Sequence, residues 1–108
     1  MNDPVSDLMR DRDLMKRASE ALKERGIALA KAEAEYQTAK HSRSIAMKAE
    51  GNSATMIQLL IKGDERVSAA MFARDCAQVE YDSAKEALNV YKLDARLLEA
   101  QIDREYRG

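Results

Sequence analysis

The sequence predicts an all-α protein: two long antiparallel helices joined by a short connector helix into a coiled-coil-like hairpin, which assembles into an oligomeric helical bundle. Three observations carry that prediction. Charged residues make up 34% of the 108 residues and aromatics only 5%, with four Gly and one Pro, a composition that belongs to long helices rather than sheets. Apolar and small residues recur every three or four positions through residues 4–50 and again through 64–106, the period of a helical seam. Gly51 and Gly63 punctuate the chain between those stretches, as glycines do at helix ends.

The first helix starts at Asp3-Pro4, where Asp caps free N–H groups and Pro suits the first helical position. Its heptad row runs Leu8, Met15, Leu22, Leu29, Tyr36, with a companion row of Asp11, Ala18, Arg25, Ala32, Ala39 and Ala46. Gly26 interrupts the helix at a cost of about 1 kcal/mol relative to Ala, which marks a kink or a close helix contact more readily than a break. Thr55 to Gln58 has the spacing of a capping box, so a short helix is expected over residues 56–62. Gly63 ends it and Asp64 caps the last helix. That helix carries Val67, Tyr81, Leu88, Ala95 and Ile102 at heptad spacing, interrupted once by Arg74, beside a companion row of Ala70, Ala77, Ala84, Tyr91 and Leu98. All three helices form a single domain, 1–108.

One phrase occurs twice, A-x-x-E-Y-x-x-A-K, from Ala32 to Lys40 and from Ala77 to Lys85. Counted from Gly51 and Asp64, Tyr36 and Tyr81 fall at nearly the same height in an antiparallel hairpin, forming one tyrosine layer between close-packed alanines. Glu35 and Glu80 then occupy g positions, and Lys40 and Lys85 occupy e positions. In a two-stranded antiparallel coil g faces g and e faces e, which sets like charges together. Further g positions hold Leu14, Ala21, Ala28, Ala49, Ala73 and Ala87, a stripe wide enough for a bundle core. Both features predict self-association into a dimer or a higher oligomer.

Charge and chemistry narrow the function classes. The net charge is −1, so no global attraction to nucleic acid or to an anionic membrane arises. Residues 16–48 carry eight Lys/Arg against four Glu, a modest basic flank that reads first as a solvated helix face. The longest apolar stretch, MIQLLI at 56–61, is too short to span a bilayer. MNDPVSDLMRDRD lacks the basic and apolar regions of a secretory signal, and Cys76 is alone, so a cytoplasmic setting is expected. His41 and Cys76 have no neighbours at metal-ligand spacing, the glycines form no phosphate loop, and no catalytic residues, metal or cofactor are expected.

Two weaker site candidates remain. Tyr36, Lys40, Tyr81 and Lys85 together offer donors to an anionic group such as a nucleotide phosphate. In the connector, Met56, Ile57, Leu59, Leu60 and Ile61 are too apolar for an ordinary surface turn. They cap the hairpin end, or Met56, Ile57, Leu60 and Ile61 form a partner-docking tip.

From Ala30 to Tyr106 the chain resembles a group of small helical proteins encoded in early regions of bacteriophages and prophages, beside recombination and replication genes. The resemblance is carried by AEAEYQTAK, by EGNSAT and IKGDERV around the connector, and by YKLDARLLEAQIDREY. The Gly63-Asp64 break and an aromatic near Tyr106 fit the group, while the absence of Trp departs from it. With no catalytic signature in the residues, the expectation is a non-enzymatic phage or prophage accessory protein acting through protein–protein contacts with a phage or host protein, recombination or replication factors being candidate partners. Its alternatives are an anti-defence protein that sequesters a host protein or a nucleotide signal, and a weak single-stranded DNA binder. The scarcity of stacking aromatics argues against the last.

Overall fold

The computed structural model describes residues 3–107 and contains three helices, α1 (Pro4–Ala49), α2 (Ala54–Ile61) and α3 (Glu65–Arg107), with no strand among the described residues. The two long helices pack against each other. Contacts divide the chain into two compact units: one spans Gly26–Glu80, and the other combines residues up to Arg25 with those from Tyr81 onward.

Both helices bury the faces that the heptads single out. On α3, Val67, Ala70, Arg74, Ala77, Tyr81, Ala84, Leu88, Tyr91, Ala95, Leu98 and Ile102 are all buried or half-buried. On α1 the same holds for both rows except at Arg25, which is exposed while the adjacent Gly26 is half-buried. The helix runs unbroken through Gly26, and the seam steps over by one residue there.

Helix ends follow from local hydrogen bonding. Asp3 opens α1: its Oδ1 accepts from the Val5 N–H at 3.1 Å, and the Ser6 hydroxyl donates to its Oδ2 at 3.0 Å. Gly51 closes α1 at φ +94°, with its N–H on the Lys48 carbonyl and that of Asn52 on the Met47 carbonyl, at 3.0 and 3.1 Å. These are the two bonds of a Schellman stop, which needs a residue free to turn left-handed. α2 starts at Ala54, ahead of the position that the capping-box spacing predicts. Ser53, not Thr55, is the cap, because its extended backbone (φ −71°, ψ 162°) aims its side chain at the Met56 N–H.

In the Gly26–Glu80 unit, α2 folds onto α1 and α3 and adds a third layer. Met47, Ile61 and Val67 form its buried core, with Tyr36 and Ile57 packed against them. Asp64 ties the layers together. Its Oδ1 accepts from the N–H groups of Arg66 and Val67 at 3.0 and 3.1 Å, and Arg43 Nε donates to its Oδ2 at 2.6 Å. The Val67 N–H and Arg43 hold this carboxyl below its ordinary value.

The Arg43–Asp64 pair also fixes the register, and it corrects the expected level tyrosines. Asp64 lies opposite Arg43 rather than opposite the end of α1, so counting from Gly51 and Asp64 begins eight residues out of step. Arg74 is the α3 residue that covers the Tyr36 ring, at 4.4 Å from guanidinium carbon to ring centroid. Tyr81 lies two helical turns beyond it, about 10 Å of rise.

The other unit buries Leu88, Ala95 and, at a seam position, Asp11, which is only 3% exposed. Asp11 lies near Asp94, and its Oδ2 is buried without a hydrogen-bond partner. A buried carboxylate near a second carboxylate is disfavoured in its charged form. Asp94, burial and the nearby Asp7 raise the Asp11 pKa, against a smaller opposing effect of Arg10.

Two predictions with opposite pH signs follow. Asp64→Ala removes a helix cap and an ion pair, and should lower the melting temperature by about 5 °C at pH 7. Because the folded-state pKa of Asp64 lies below 3.8, its contribution is present above that value and fades as pH falls through the depressed pKa. Asp11 behaves in reverse: its folded-state pKa is above 3.8, so the wild type gains stability as pH falls through the raised pKa. Asp11→Asn should melt higher than wild type at pH 7 and lack that gain on acidification. Thermal melts from pH 7 to pH 3 read both, and a wild-type melt that only falls on approaching pH 4 contradicts the Asp11 assignment.

Candidate functional site

Where α2 meets the long helices, a cleft of about 490 Å³ opens in the Gly26–Glu80 unit. α1 contributes Tyr36 and Lys40, one turn apart on one face. The end of α2 contributes Gln58, Ile61 and Lys62, and the first two turns of α3 contribute Val67, Ser68 and Met71. Ile61 and Val67, both buried, make an apolar floor. Lys40 and Lys62 stand at the exposed rim, with Lys40 Nζ 5.9 Å from the Tyr36 ring centroid.

Arg74 closes one side of the Tyr36 environment. It stacks on the ring, lies 3.6 Å from a Glu33 carboxylate oxygen and pairs with Asp75 at 3.0 Å. The interruption of the α3 heptad row is thereby explained: the guanidinium plane covers an aromatic face, as an aliphatic side chain would.

The cleft lining holds no carboxylate, His or Cys, and its Ser68 hydroxyl donates to the Lys62 carbonyl at 3.3 Å. An apolar floor with two ammonium groups at the rim suits holding a group that is apolar at one end and anionic at the other. Among the described residues, no group of three or more His, Cys, Asp or Glu is placed to hold a metal ion, and no helix is long and apolar enough to cross a membrane.

Of the four residues read as an anion contact, only two meet. Tyr36 and Lys40 line the cleft, whereas Tyr81 and Lys85 belong to the other unit. The level-tyrosine register fails for the reason given above, and Lys62 and Ser68 take the places that Tyr81 and Lys85 were expected to fill. Lys62 escaped notice because its position depends on how α2 folds back, which no periodicity reports.

The connector residues also divide. Ile57 and Ile61 face the core and do not form a docking tip. Met56 and Leu60 are exposed, and Leu59, 65% exposed, completes their outer face. An eight-residue helix with apolar side chains on both faces buries one set and leaves the other in water.

No protein-family model, curated protein or solved structure matches the chain.

The division of α2 predicts unequal costs. Ile61→Ala empties a buried position and should destabilise the fold by about 2–4 kcal/mol, whereas Leu60→Ala should change stability by less than about 0.5 kcal/mol. Urea unfolding of the two variants tests this, and equal losses would mean that both faces of α2 are packed.

Proposed function

We propose that the protein is a non-enzymatic interaction protein that associates with itself and docks a second protein through the outer face of α2. The observation that carries this reading is the exposed trio Met56, Leu59 and Leu60, held on a short helix whose inner face is fixed in the core by Ile57 and Ile61. A rigidly presented apolar patch of this kind is unusual unless a partner covers it. The resemblance to helical proteins of phage and prophage early regions supports an accessory role there, with recombination or replication proteins as the partner class and the host cytoplasm as its place of action.

A second reading rests on the cleft. Lys40 and Lys62 beside an apolar floor favour an anionic amphiphile or a nucleotide signal, as in an anti-defence protein that sequesters one.

Recovery of bound proteins from infected host cells separates these readings. Wild type should retain phage recombination or replication proteins, and Leu59→Asp/Leu60→Asp should release them while keeping its helical circular dichroism. An identical set of proteins on wild type and variant overturns the docking face. A nucleotide that raises the melting temperature of wild type but not of Lys40→Ala/Lys62→Ala would favour the second reading.

A further inference from the structure

α3 carries a second apolar stripe on the side away from α1, made of Phe72, Val79, Val90, Leu93 and Leu97. These residues are 71, 64, 55, 56 and 61% exposed. Their spacing of seven, eleven, three and four residues keeps them on one face of a continuous helix. Cys76, which is exposed, and Ala100 fall on the same stripe. Five large apolar side chains in one line are not the scattered exposure normal for a surface.

We infer that this stripe is the self-association surface, and that α3 of a second copy covers it in antiparallel orientation. The inference rests on the self-association proposed above and supplies its surface and register. In an antiparallel two-stranded coil each layer joins residues whose numbers have a constant sum. One register places Phe72 on Leu97 of the second copy, Cys76 on Leu93 and Val79 on Val90, each layer occurring twice about a two-fold axis. Between them Ser83 meets Glu86, a hydroxyl donor facing a carboxylate. Outside them Ala69 meets Ala100, and at the ends Glu65 meets Arg104.

Charge selects this arrangement over its alternatives. A parallel pair sets Glu65, Glu86 and Arg104 each against its own copy. Sliding the antiparallel pair by one heptad sets Glu86 against Val90 in one direction, or Glu65 against Leu97 in the other, which buries a carboxylate against an apolar side chain. The flanks agree as well. Asp75 faces Arg96, Ser68 faces Asp103, Asp82 faces Asn89, and no like charges meet on either side. The area suffices: the chain exposes 8143 Å², about 2000 Å² more than a globular monomer of its mass, and a stable interface removes about 600–1000 Å² from each partner.

The native Cys76 supplies the test. In Leu93→Cys the two thiols of one chain are seventeen residues apart on α3, about 25 Å by helix rise, so no disulfide forms within a chain. After mild oxidation, mass spectrometry of the disulfide-linked peptides should recover a link from Cys76 of one chain to the introduced thiol at position 93 of another. Links that instead join Cys76 to Cys76, and the two introduced thiols to each other, would indicate a parallel pair and overturn the register while leaving self-association standing. Light scattering of the unoxidised wild type at micromolar concentration should give the mass of a dimer or of a multiple of it, and a monomer overturns both. Val79→Glu should shift the protein toward monomer by at least tenfold in dissociation constant with helicity retained, since Val79 is exposed within the chain. Glu65→Arg should weaken association, and Glu65→Arg/Arg104→Glu should restore it. A failure to restore overturns the end pairing.

Discussion

The narrowness of the α1–α3 seam governs the molecule. Its inner rows are alanine-rich, which lets the two helices approach closely but gives each layer little apolar volume to bury. Only Met47, Ile61, Val67, Leu88 and Ala95 are buried hydrophobic residues among those described. Three of the five lie where α2 adds a third layer, so the strongest core sits at the connector. In the other unit, a buried position goes to Asp11, whose charged form burial and the neighbouring Asp94 disfavour. A seam of this kind specifies the helical pairing more than it stabilises it.

Everything the seam does not cover must face water or a partner. The outer face of α2 and the outer stripe of α3 are both apolar and both uncovered in the single chain. They differ in what surrounds them. The α3 stripe is bounded by charges and polar groups whose order along the helix complements its own reverse, which is the mark of a symmetric contact. The α2 patch has no such internal complement and is left for a different protein. The cleft beside α2 is a third kind of surface, apolar below and cationic at the rim, suited to a small anionic group.

Much of this was legible in the residues. The inward faces of α1 and α3 followed from heptad spacing, and the caps at Asp3, Gly51 and Asp64 followed from the side-chain and backbone demands of helix ends. What stayed hidden depended on distance in the chain. The start of α2 at Ser53 turned on a backbone angle, and the opposition of Arg43 to Asp64 turned on how α2 folds back. That one offset displaced Tyr81 from Tyr36 and put Lys62 in the cleft instead. The burial of Asp11 against Asp94 likewise needed the register of the two helices. The outer stripe of α3 is different: Phe72 and Val79, then Val90 and Leu97, are each seven apart and could be read directly. They went unread because the inner heptads alone accounted for a helix.

If folding and association are one process, the stability of the protein depends on its own concentration. Melting temperature measured over a hundredfold range of concentration tests this most directly. Mass action stabilises a dimer by about 2.7 kcal/mol over that range, about 1.4 kcal/mol per chain, so the melting temperature should climb by several degrees from the dilute to the concentrated end. A melting temperature that stays constant across the whole range would mean that the single chain stands alone, with both of its apolar outer faces in water.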